Sequence, residues 1–211
     1  MADAYLQTQP NWGEEKNIRF IFKFLNKLDS KAADYFVKNR KRFEEKFGMD
    51  IVEQKIQDLV FKKINADQDT LLHGLDTLIA KIYPAEKSLM VDKFSMKYFR
   101  EAEKISLFAS AADKYFKKQK NVAATEMNDA AFAIMDGTDE KKLLKKAAKW
   151  ATTSVEKEPT LTNYETVVGL YYKLGKKSKA LNFAKEAIEI GRKSGENYSM
   201  MNDWIEKINK L

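Results

Sequence analysis

The chain has 211 residues, 44% apolar and 33% charged, with a net charge of +7. With only eight Gly and three Pro, it favours long helices over many short strands. The absence of Cys and a single histidine, His73, exclude disulfides, thiol nucleophiles, CxxC redox chemistry and Cys- or His-rich metal sites.

The opening MADAYLQTQPNWGEEK has neither the basic start nor the apolar stretch of a signal peptide. Asn11-Trp12-Gly13-Glu14 has capping-box spacing, and Ile18, Ile21, Leu25 and Leu28 follow at helical steps. Phe20 and Phe24 widen that apolar face. Asp29-Ser30 predicts the cap of a second helix. Its stripe is Ala33, Phe36, Val37, Arg40, Phe43 and Phe47, and Gly48 ends it. Asp50 predicts another cap, before the inner face Val52, Ile56, Leu59, Val60 and Ile64. Asp69 predicts the start of a helix with Leu71, Leu72, Leu75, Leu78, Ile79 and Ile82 inward. Tyr83-Pro84 breaks the chain, and a helix over residues 85–102 follows, with Leu89, Phe94, Tyr98 and Phe99 inward.

A turn near residues 103–106 leads to a helix bearing Phe108, Ala112, Tyr115 and Phe116. Asn121 opens a helix with Ala124, Met127, Ala131, Ile134 and Met135, and Asp136-Gly137 closes it. Thr138 caps a helix to about Lys157, stopped by Pro159. Helices over 162–174 and 177–193 come next. Gly195 then precedes a last helix near 198–210, with Met201, Trp204, Ile205, Ile208 and Leu211 on one side.

Alternate helices thus start near residues 14, 50, 85, 122, 162 and 197. A near-constant period of about 35 residues per helix pair is the mark of an α-solenoid. The expected fold is all-α: a right-handed α-solenoid of antiparallel helix pairs over 1–211, tetratricopeptide-like towards the C-terminus, with a terminal capping helix. The first two pairs lack the Gly and small-residue marks of the later ones, which allows subdomains 1–83 and 84–211.

Residues 163–191, NYETVVGLYYKLGKKSKALNFAKEAIEIG, carry the clearest repeat. With Gly175 at the turn, Tyr164, Val167 and Tyr171 supply the large positions of the first helix. Ala180, Ala184 and Ala187 supply the small ones of the second. Two helices approach closely only where small side chains meet at their crossing. This stretch resembles a tetratricopeptide repeat, departing from it where Val168 replaces a small residue and where Ala184 replaces a larger aromatic. The preceding pair resembles it more weakly, through Ala147, Ala151 and Pro159.

A wider resemblance rests on DSKAADYFVKNRKRFEEKFG at 29–48, AADKYFKK at 111–118, MNDAAFAIMDGTDEKKLLKKAAKWATTSVE at 127–156 and the repeat itself. These resemble the C-terminal helical region of certain bacterial thioredoxin-family proteins, without the thioredoxin domain. The resemblance implies an accessory region for protein–protein interaction, in a periplasmic thiol–disulfide protein. A native start at Met1 would instead imply the cytoplasm.

No motif predicts a cofactor or a catalytic site. There is no phosphate-cradling Gly-rich loop, GxSxG or HExxH, so the chain is not expected to be an enzyme. Acidic pairs such as Glu44-Glu45 and Asp139-Glu140 lie among lysines, a poor setting for raising a carboxyl pKa. His73, near Asp69 and Asp76, reads as an ordinary partly exposed residue. Lys141, Lys145 and Lys149 line one helix face, with Lys142 and Lys146 beside them, and Lys38, Arg40, Lys41 and Arg42 form a second basic cluster. Without aromatic readers beside Lys141–Lys149 they read as solvated surface. Nucleic-acid binding by a stand-alone basic protein stays the alternative.

In the repeat register, the concave face carries Thr162, Glu165, Gly169, Tyr172 and Lys173. Gly169 would let a ligand backbone approach beside Tyr172, so this is the expected protein- or peptide-binding face, an adjoining thioredoxin domain being one candidate partner. Glu165 and Gly169 disfavour capture of a peptide C-terminal carboxylate.

Overall fold

A computed structural model describes residues 2–67 and 71–211; side chains are described outside residues 2 and 66–73. The Asp69 cap therefore lies outside the described residues, as do the side chains of Leu71, Leu72 and His73. Among the described residues the chain is all-helical and strand-free, and its helices pack against neighbours in sequence. It divides into two compact units, Met1–Phe94 and Ser95–Leu211. The division falls inside a helix that begins after the predicted break at residue 83.

The first unit contains α1 (Ala2–Gln7), α2 (Glu15–Phe24), α3 (Lys31–Lys38), α4 (Arg40–Phe47), α5 (Met49–Asp67) and α6 (Leu71–Ile82), with the first part of α7 (Lys87–Glu101). Ser30 caps α3, its hydroxyl accepting the Ala33 N–H at 3.1 Å. Phe36 and Phe43 are fully buried, their rings edge-on at 4.7 Å. Phe22 stacks on Phe47 at 4.2 Å beside them. Val52, Ile56, Leu59, Val60 and Ile64 form the buried stripe of α5, and Leu75 and Ile79 that of α6.

Several local expectations need correction here. The helix expected over residues 30–47 is broken at Asn39, whose amide donates to the Tyr35 carbonyl at 2.8 Å, so α3 and α4 meet at a bend. Asn11 caps a turn rather than a helix: its side chain accepts the Gly13 N–H at 2.9 Å, while α2 begins at Glu15. Asp50 lies inside the first turn of α5. Phe24, the last residue of α2, is 37% exposed instead of buried, because the helix ends there and its periodicity no longer applies. Helix α1, which no sequence pattern announced, buries Leu6 completely.

The second unit contains the end of α7, then α8 (Ile105–Lys118), α9 (Ala124–Gly137), α10 (Lys141–Lys157), α11 (Leu161–Lys173), α12 (Lys177–Ser194) and α13 (Ser199–Asn209). Asn121 is exposed and precedes α9 by three residues, so it does not cap it; the N-cap position is Ala123. Thr160 caps α11, accepting the Asn163 N–H at 3.3 Å. Gly175 turns the chain between α11 and α12 at φ 68°, and Gly195 closes α12 at φ 74°, a left-handed backbone that side chains disfavour.

Helices α2, α5, α7, α9, α11 and α13 start 34 to 38 residues apart, close to the period read from the sequence. Within the second unit the reason is visible. Ala180, Ala184 and Ala187 are fully buried where α12 meets α11, and Phe183 stacks on Tyr171 at 5.6 Å. Beyond these hairpins, α9 packs on α11 and α11 on α13, so alternate helices lie side by side.

Candidate functional site

The candidate face belongs to α11, between α9 and α13, and its five predicted residues have different fates. Thr162 is exposed and Glu165 is half-buried. Gly169 is buried: a Cβ there would lie 2.6 Å from Met135 Sδ and 3.5 Å from the Trp204 ring. The expectation of an open backbone at Gly169 is therefore corrected. The missing side chain admits Met135 of α9 and Trp204 of α13, not a ligand.

Tyr172 is half-buried, its ring edge-on to Trp204 at 5.5 Å. Lys173 ties α11 to the end of α9. Its ammonium donates to the carbonyls of Met135 at 2.6 Å and Thr138 at 3.2 Å, and meets Asp139 at 2.9 Å. It thus caps carbonyls that α9 leaves without helical partners, next to the negative end of the helix dipole. Gly169, Tyr172 and Lys173 hold the array together, while Thr162 and Glu165 remain at the surface.

Two exposed apolar residues, which sequence reading missed, sit at matching helix positions. Phe132, 46% exposed, is the ninth residue of α9, as Gly169 is of α11. Met200, 44% exposed, is the second residue of α13, as Thr162 is of α11. Position-by-position comparison of the three helices could have found both.

The other candidate groups are engaged in ordinary surface pairs. Glu44 pairs with Arg40 at 3.3 Å, and Asp139 with Lys173. Lys146 reaches Asp113 at 3.4 Å, and Lys117 reaches it at 2.9 Å. Burial raises the Asp113 carboxyl, but the Lys117 hydrogen bond and the charges of Lys146 and Lys117 outweigh it and hold the group below the usual carboxylate range. Lys141, Lys145 and Lys149 are exposed.

Tyr83 is the most perturbed group. It is buried, its hydroxyl meets no partner at hydrogen-bond geometry among the described residues, and the Arg40 guanidinium lies over its ring at 4.1 Å. Burial, with the charge of Glu53 added, pushes the phenol well above its ordinary value despite the opposing charge of Arg40. Among the described residues no cluster of acidic or His side chains could hold a metal, and no helix is long and apolar enough to cross a membrane. No family model, curated protein or solved structure matches the chain.

Proposed function

We propose that this chain is a non-catalytic helical repeat domain that holds another polypeptide, as the accessory C-terminal region of a periplasmic thioredoxin-like protein. The observation that carries the reading is the face made by alternate helices of the second unit. There Phe132 of α9, Thr162 of α11 and Met200 of α13 are exposed and Glu165 of α11 is half-buried, on three helices packed side by side about Met135, Gly169 and Trp204. Exposed large apolar side chains set among polar ones on a rigid helical wall are what polypeptide recognition uses. The link to a thioredoxin domain rests on the sequence resemblance alone.

The test is titration with a bacterial thioredoxin domain, read by hydrogen exchange. The reading predicts slowed exchange concentrated in α9, α11 and α13, and weaker association of Phe132→Asp. Absence of association, or protection elsewhere with Phe132→Asp binding normally, would overturn it.

A further inference from the structure

The first unit carries a concave, cation-rich surface of its own. The bend at Asn39, between α3 and α4, borders an open hollow of about 680 Å³ that reaches the end of α6. Among the described residues, Lys38, Arg40, Lys41, Arg42 and Lys81 line it, against one carboxylate, Glu45. Three of the cations are engaged nearby: Arg40 by Glu44 and the Tyr83 ring, Arg42 by the Gly13 carbonyl, and Lys81 by Asp34 at 2.9 Å. Lys38 and Lys41 are exposed, and among the described residues neither meets a carboxylate. The rest of the lining includes the aliphatic Val37, Ile82 and Pro84.

We infer that this hollow takes an acidic segment of a polypeptide, with carboxylates on Lys38 and Lys41 and an aliphatic side chain against Val37 and Pro84. Charge complementarity sets the sign of the partner, since an excess of cations around a concave surface concentrates anions there. The lining sets its class. Among the described residues it offers aliphatic surface and no aromatic side chain on which a base could stack, and its volume is that of a ligand pocket, not of an extended nucleic-acid track.

The test uses the full chain and a short fluorescein-labelled peptide of alternating Glu and Leu, followed by fluorescence anisotropy. Saturable binding is expected, weakening as salt rises because the charges are exposed. Lys38→Gln with Lys41→Gln should weaken it at least about tenfold, while Lys141→Gln with Lys145→Gln leaves it unchanged. Both pairs are exposed, so folding is not at stake. A peptide with Ser in place of Leu should bind more weakly, reporting the aliphatic contact. The inference is overturned by absence of saturable binding, by equal losses in the two double variants, or by a single-stranded oligonucleotide of equal charge displacing the peptide with higher affinity. The last result would assign the hollow to phosphates.

Discussion

A side chain at position 169 has nowhere to go unless Met135 moves, which makes Gly169 the residue on which helix stacking is most sharply tested. Gly169→Leu should destabilise the second unit by about 1–3 kcal/mol through overpacking. Adding Met135→Ala should recover part of that loss, because it vacates the volume the new side chain needs; urea unfolding of the single and double variants measures both. Tyr83 makes a different prediction. Its hydroxyl is buried and meets no partner at hydrogen-bond geometry among the described residues, so Tyr83→Phe should leave stability unchanged or raise it, by up to about 1 kcal/mol, in urea unfolding. Its folded-state pKa is raised, so its titration leaves stability unaffected below its unfolded value near 10 and lowers it as pH climbs above that. The wild-type chain should therefore lose more stability than Tyr83→Phe between neutral and strongly alkaline pH. Asp113 runs the opposite way. Its lowered pKa makes its contribution present above the ordinary Asp value near 3.8, and lost as pH falls below it. Acid titration of unfolding should show the difference between wild type and Asp113→Asn shrinking at low pH.

Individual helices were legible where their ends carry strong local chemistry. Ser30 acts as the expected cap by accepting an N–H group, and Gly175 and Gly195 take the left-handed backbone expected at helix ends, whereas the Thr160 cap just after Pro159 was not announced by the spacing. Ser30→Ala and Thr160→Ala should each cost about 1 kcal/mol, whereas Asn121→Ala should cost far less because Asn121 caps nothing; chemical denaturation ranks the three. The break at Asn39 was hidden because neither Gly nor Pro marks it, and the apolar stripe continues from Phe36 to Phe43 across the bend. Helix α1 was hidden because six residues are too few to show a period. The candidate face was half legible. Helical spacing showed which α11 residues share a side, but not that Met135 and Trp204, distant in sequence, would fill the gap at Gly169. Periodicity reports that a face exists and leaves open what covers it.

At the scale of the molecule, each compact unit has its own apolar interior. Phe36, Phe43 and Phe94 are buried in the first, and Phe108, Ile134, Leu144 and Val167 in the second. A compact unit with its own buried core is expected to fold by itself. Residues 95–211 expressed alone should give a helical circular dichroism spectrum and a cooperative thermal transition. The period of starts runs through both units, yet the small residues that allow close helix crossings concentrate in the second. This contrast explains why the repeat was plain in residues 163–191 and faint near the N-terminus.

The stacking of alternate helices underlies the proposed binding wall, and a disulfide trap tests it most directly. The chain has no native cysteine, so Met135→Cys with Gly169→Cys introduces the only two thiols. The shorter Cys at 135 leaves room for the second sulfur where Met135 now lies against Gly169. Mild oxidation should give a rapid, nearly complete intramolecular crosslink, visible as a mobility shift reversed by reductant, while a Lys141→Cys with Gly169→Cys control should stay reduced. Failure of the 135–169 pair to crosslink in the folded chain would contradict the packing of α9 on α11 and the wall built from it.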